Sequence, residues 1–232
     1  MTSCTIDAVL TGKPQPFGPN GELSAVRKRE MNGPVTLGPL GLAGDEHVYH
    51  GHGGADKALL HYAAHHYTMW KQEFPWSHVG RGCFGENVSA AGPTEQTVCI
   101  GDRFRIGRQV VVEVSQPRQP CWKLAHNVAE QRIPRLMQER AATGWFYRVI
   151  TPGPIAAGDR MELTERPLPQ WSLSRVILGF YGTPLDTAFL SALTDLEPLG
   201  KELRTLARTR METGAVEDWT HRLCLPLAHG NS

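Results

Sequence analysis

Val98-Cys99-Ile100-Gly101-Asp102-Arg103-Phe104-Arg105-Ile106 has a later counterpart in Ile155-Ala156-Ala157-Gly158-Asp159-Arg160-Met161-Glu162-Leu163. In both, a Gly-Asp turn precedes an alternating strand. After the first copy, Gly107-Arg108 leads into Gln109-Val110-Val111-Val112-Glu113-Val114, a second strand and its expected hairpin partner. Ser24 to Arg29, Lys57 to Tyr62 and Trp145 to Ile150 read as further strands, between frequent Gly and Pro breaks. That is enough to close a barrel and hide the sheet edges. The fold class expected is mainly β with α, and the repeat is too short for a solenoid.

Helices interrupt this pattern. Ala63, Tyr67, Trp70 and Phe74 follow helical spacing up to Pro75, and a second helix is predicted from Val128 to about Ala142, its start delayed by Pro134. At Arg166-Pro167-Leu168-Pro169-Gln170 the texture changes to helix-sized segments at Ser174 to Phe180, Leu185 to Leu193 and Leu199 to Met211. Pro184 fits a first-turn proline and Gly214 a helix stop. The expected organisation is a barrel domain over residues 1–166 and a three-helix domain over 167–232. So small a helical unit cannot bury a large core alone. It needs the barrel of the same chain or a second copy in a homodimer.

Composition narrows the function. The sequence has 232 residues, with 24 Lys and Arg against 23 Asp and Glu. A net charge of +1 gives no basic field for nucleic acid as main partner. No run approaches a membrane span and the first residues lack a secretory pattern, so no membrane partner and a cytoplasmic location are expected. The 5 cysteines form no CxxC pair, which points away from a disulfide framework.

One of those cysteines stands out, in Gln116-Pro117-Arg118-Gln119-Pro120-Cys121-Trp122-Lys123-Leu124. The prolines remove donors and fix φ, so the strand before them cannot continue as a central ladder past Ser115 and Cys121 sits on a stiff loop. If Cys121 to Lys123 is extended, the two side chains share a face roughly 7 Å apart, which favours a thiolate. Such a thiolate is a nucleophile or a soft metal ligand, and the alternative is a buried cysteine acting as a small hydrophobe. His47, His50, His52, His61, His65 and His66 superficially resemble a metal site but lack the HExxH arrangement. His52-Gly53-Gly54-Ala55-Asp56-Lys57 would suit a phosphate through its glycine amides and Lys57, or is a tight turn. Asn87 in Phe84-Gly85-Glu86-Asn87-Val88 is a candidate donor and acceptor, or a turn-stabilising residue.

Together these motifs resemble the YiiM-type MOSC-domain family, named for the C-terminal domain of molybdenum-cofactor sulfurases. The resemblance also runs through Ser24-x-x-x-Lys28, Gly41-Leu42-Ala43-Gly44-Asp45-Glu46 and Gly144-Trp145-Phe146-Tyr147-Arg148-Val149. It implies a β-barrel followed by a three-helix domain and a pterin-based molybdenum cofactor (molybdopterin). Cys121 would then be the molybdenum ligand and catalytic residue. Cofactor contacts would come from Ser24, Lys28, His52, Lys57, Asn87, Arg118, Lys123 and Arg148. The chain departs from the motif between Asp45 and His52, so His47 and His50 inherit no role.

The resemblance further implies reduction of N-hydroxylated small molecules, such as hydroxylated purine bases and amidoximes, with His52 or His61 as proton source. No flavin, haem or iron–sulfur motif is present, so electrons would come from a separate reductase. Arg204, Arg208 and Arg210 form either its docking face or a solvated helix face. The competing expectations are a molybdenum-cofactor or sulfur carrier without reductase activity, and a zinc-binding protein built on the histidines.

Overall fold

The structure, a computed structural model, describes residues 3–49, 51, 53–75 and 78–226. The barrel strands are β1 (Ser3–Thr11), β2 (Leu59–Ala63), β3 (Val88–Ala90), β4 (Arg103–Ile106), β5 (Val110–Pro117), β6 (Trp145–Thr151) and β7 (Arg160–Glu165). They follow the order β7-β4-β5-β6-β2-β3-β1, and β1 returns to β7 through Ser3↔Glu162 and Thr5↔Arg160. Closure leaves none of the seven as an open edge. Neighbours are antiparallel except β2 and β3, which run parallel with His61 beside Val88, a crossover that α1 (His65–Glu73) helps to span.

The Gly-Asp repeat has a structural cause. Gly101 and Gly158 both take positive φ, at 77° and 91°. Behind each, the aspartate accepts from the amide three residues earlier, Asp102 from Cys99 at 2.9 Å and Asp159 from Ala156 at 2.8 Å. These equivalent turns feed β4 and β7, which pair through Phe104↔Leu163 and Ile106↔Met161.

Alternate residues of the strands fill the barrel, among them Ile6, Phe104, Ile106, Val112, Val114, Trp145, Tyr147 and Met161. A second apolar cluster joins Tyr62, Trp70 and Phe84 to Leu124 and Val128 of α2 (Trp122–Val128) and to Ile133 and Met137 of α3 (Ile133–Glu139). The barrel cluster itself extends without a break into α4 (Leu173–Gly182), α5 (Thr187–Thr194) and α6 (Lys201–Thr213), through Leu173, Val176, Phe180, Leu190, Leu193 and Leu203. The C-terminal helices therefore find their apolar partner in the barrel of the same chain. Ser172 and Asp186 cap α4 and α5 by accepting from Arg175 and Phe189, and Gly214 ends α6 at φ 62°.

Several local expectations are corrected. Residues 24–29 do not form one strand: only Leu23–Ser24 and Arg29–Glu30 pair, in separate ladders. The predicted helix from Val128 is the end of α2 followed by α3, divided by Ala129 at φ 57°, with Pro134 in the first turn of α3. Pro184 precedes α5 and is not in its first turn. β5 does not stop at Ser115 but pairs as far as Pro117↔Trp145, across a bulge that leaves Ser115 without an opposite residue. Arg210 is fully buried and belongs to no docking face.

Candidate functional site

A cleft of about 1200 Å³ opens on the outer side of the barrel wall. Its floor is a cross-strand row, Gln116 beside Phe146 beside Leu60, on β5, β6 and β2. Strand alternation puts Phe146 and Leu60 opposite the core residues Tyr147 and Leu59, and the bulge at Ser115 turns Gln116 to their side, away from Val114. The Ser115 bulge sets the register: its hydroxyl donates to the Phe146 carbonyl at 3.1 Å and its carbonyl accepts from the Gly200 amide at 2.9 Å. Beyond the bulge, β5 and the segment that follows it deliver Gln116, Arg118 and Cys121 to the cleft.

Cys121 is a free, half-buried thiol in extended backbone at the N-cap of α2. The helix starts at once with Trp122, so Cys121 and Lys123 do not form the expected extended pair. The Lys123 ammonium instead lies 5.9 Å from the Trp122 ring centroid. Arg118 is buried at 8% exposure, with Nη1 donating to the Phe84 carbonyl at 2.7 Å and its amide to the Gly144 carbonyl at 2.9 Å. Burial pulls its pKa below the usual value, opposed by Cys121, Tyr62 and Glu86 nearby.

At the other end of the cleft Asp45 gathers three donors. Lys28 Nζ contacts both carboxylate oxygens, with 2.5 Å to Oδ1, while the Gly12 amide and Asn87 Nδ2 each donate at 2.7 Å. Asn87 also accepts from the Leu60 amide at 3.1 Å and donates to the Leu10 carbonyl at 3.2 Å. It therefore ties Asp45 to two strands. Burial lowers the Lys28 pKa, and Asp45 works against the shift. Lys57 pairs with Glu202 of α6 and donates to the Gly51 carbonyl at 2.7 Å.

Of the residues singled out from sequence, Ser24, Lys28, Lys57, Asn87, Arg118, Cys121 and Lys123 line this cleft. Ser24 also accepts from the Val26 amide at 3.2 Å. Arg148 is not among the lining residues: it bonds Asp56 at 2.7 and 3.0 Å, Glu113 at 2.6 Å and the Pro198 carbonyl at 2.9 Å, joining barrel to helices. His52 and His50 lie outside the described residues. His61 cannot serve as a proton source, because it is sealed in the barrel wall against Trp145 and burial pushes its pKa down to about 3. His66 is paired with Glu95 at 2.8 Å. Among the described residues no three His, Cys, Asp or Glu side chains group to hold a metal ion.

Sequence reasoning did not single out Asp45 or Gln116, nor Glu202, His221 and Arg222, which reach the cleft from the C-terminal helices. Gln116 Oε1 is buried and has no hydrogen-bond partner among the described residues.

The MOSC domain family matches residues 48–162. Protein YiiM of Escherichia coli K12 is 37% identical over 218 residues, 93% of this chain and 96% of that protein. A protein of Gibberella moniliformis named "Reductase" is 37% identical over 196 residues, 83% of this chain and 35% of that protein. A crystal structure of YiiM from Escherichia coli superposes with a TM-score of 0.79 at 32% identity, covering 96% of this chain and 99% of that one.

Proposed function

The chain belongs to the MOSC-domain family, and on that premise we propose that it is a molybdenum-cofactor-dependent oxidoreductase that reduces N-hydroxylated small molecules, fed by a separate reductase. The observation that carries the reading is the free Cys121 thiol opening into a cleft beside a buried arginine that makes no ion pair within bonding distance of a carboxylate among the described residues. A thiolate is a soft donor suited to molybdenum. Arg118 and Lys123 supply positive charge for an anionic cofactor. These donors fit the group the family implies.

When bound, the cofactor supplies the two-electron chemistry that breaks an N–O bond. The chain's own residues bind and orient. Cys121 anchors the metal end, Arg118 offers its remaining guanidinium donors, and Phe146, Leu60 and Trp122 give the apolar walls that strip water from a planar ligand. The Asp45–Lys28–Asn87 knot keeps the opposite wall in place.

The test is to express the chain in a host that makes the cofactor and measure bound molybdenum and zinc by mass spectrometry, in wild type and Cys121→Ser. Near-stoichiometric molybdenum that is lost in a folded variant supports the reading, and turnover of an amidoxime with an added reductant completes it. Molybdenum without turnover favours a cofactor carrier. Equal molybdenum in both proteins overturns ligation by Cys121.

A further inference from the structure

The C-terminal helix α7 (Thr220–Leu223) brings Arg222 to the cysteine end of the cleft. Its Nη1 donates to the Pro120 carbonyl at 2.5 Å, one residue before Cys121, and its guanidinium stands 5.6 and 5.7 Å from the Tyr181 and Trp219 ring centroids. The segment is held from behind. The buried Arg210 grips Glu217 at 2.7 and 2.8 Å, and Trp219 Nε1 donates to the same carboxylate at 2.8 Å.

The cations of the cleft divide into two sets. Lys28 and Lys57 are neutralised by Asp45 and Glu202. Arg118, Lys123 and Arg222 make no ion pair with a carboxylate among the described residues, and two of them flank Cys121 within three positions in sequence. Arg118, Lys123 and Arg222 line the same cleft as Cys121, and cations without carboxylate partners favour an anionic group on a bound ligand, an effect that grows where walls exclude water.

We propose that Arg222 is a specificity-determining residue which selects substrates carrying a carboxylate or phosphate next to the Cys121 sulfur. The proposal rests on reading Cys121 as the reacting end of the cleft. It does not depend on molybdenum being bound.

The test compares two alkylating reagents of nearly equal size on full-length protein from a host lacking the cofactor. Iodoacetate is anionic and iodoacetamide neutral. With either, the sulfur displaces iodide, and the carboxylate of the first ends up beside the sulfur, far from any remote phosphate subsite. Rates at Cys121 are read by peptide mass spectrometry, with Cys83, outside the cleft lining, as internal reference. The iodoacetate-to-iodoacetamide ratio should fall about fivefold in Arg222→Gln, the size of one partly exposed charge contact, and recover in Arg222→Lys. An unchanged ratio overturns the proposal. So does an equal change with both reagents, which would leave Arg222 only holding the loop. Molybdenum content is scored separately, so failure of either reading is seen on its own.

Discussion

The Asn87 side-chain nitrogen donates to the Asp45 carboxylate across 2.7 Å, and Lys28 closes on the same carboxylate with 7% of its side chain exposed. Removing the carboxylate and removing the ammonium are therefore unequal changes. Asp45→Ala strands a buried cation and should cost about 3 kcal/mol. Lys28→Met leaves Asp45 with the Gly12 and Asn87 donors and should cost roughly half as much. Denaturant melts of the two variants check the order, and equal losses would show that the knot does not work as a unit.

Gly144 stands at φ 74°, and a Cβ there would sit 2.5 Å from the His61 carbonyl oxygen. Its amide donates to Glu95 at 2.7 Å and its carbonyl accepts from the Arg118 amide. Gly144→Ala combines left-handed strain with a backbone clash and should lower stability by about 2 kcal/mol or more. Because Arg118 moves with it, alkylation of Cys121 should change in rate as well. Thermal unfolding and the alkylation assay read the two effects.

His61 is neutral in the folded protein, its pKa pushed by burial to about 3 from an ordinary 6.5. The folded state thus binds fewer protons than the unfolded chain between those values. Its contribution to stability is complete above about pH 6.5 and is lost as pH falls towards 3, at roughly 1.4 kcal/mol per pH unit. The difference in unfolding free energy between wild type and His61→Gln should shrink by that slope from pH 6 to pH 4. A constant difference would show that His61 titrates alike in both states.

Arg148 bonds two carboxylates and the Pro198 carbonyl. Burial raises the Asp56 pKa, but the Arg148 hydrogen bond and the Lys201 amide outweigh it and hold the carboxyl below its ordinary value. Arg148→Met leaves Asp56 and Glu113 without that partner and should cost about 2 to 4 kcal/mol, with faster proteolysis near Pro198. Since Arg148 stands outside the cleft lining, ligand affinity measured on the folded fraction should hold. A selective loss of affinity would return it to the binding residues.

Which parts of this structure could be read from sequence follows from how local their causes are. The Gly-Asp turns were legible because each is closed within four residues by an aspartate and a positive-φ glycine. Ser24, Lys28, Asn87, Arg118 and Cys121 were found because they lie in compact motifs that also face the cleft. Residues 24–29 are not one strand because only the ends pair, Ser24 with Gln15 and Arg29 with Thr11, while Ala25, Val26 and Lys28 between them line the cleft. The onset of α2 was missed beside the prolines, although Leu124 and Val128, four apart and buried, carried the signal. Glu202 and Arg222 had no local signal at all. They reach the cleft from far along the chain, placed by packing between helices and barrel, which no spacing encodes.

Closure of the barrel by Ser3↔Glu162 also constrains how the protein is made. At a ribosomal rate of about 5 to 20 residues per second, β1 waits roughly 10 to 30 s for its second partner to emerge. Through that interval its β7-facing edge is an unpaired template. The nascent chain should thus depend on chaperone cover until residue 165 clears the exit tunnel, and a translational pause upstream of that point would favour aggregation over closure.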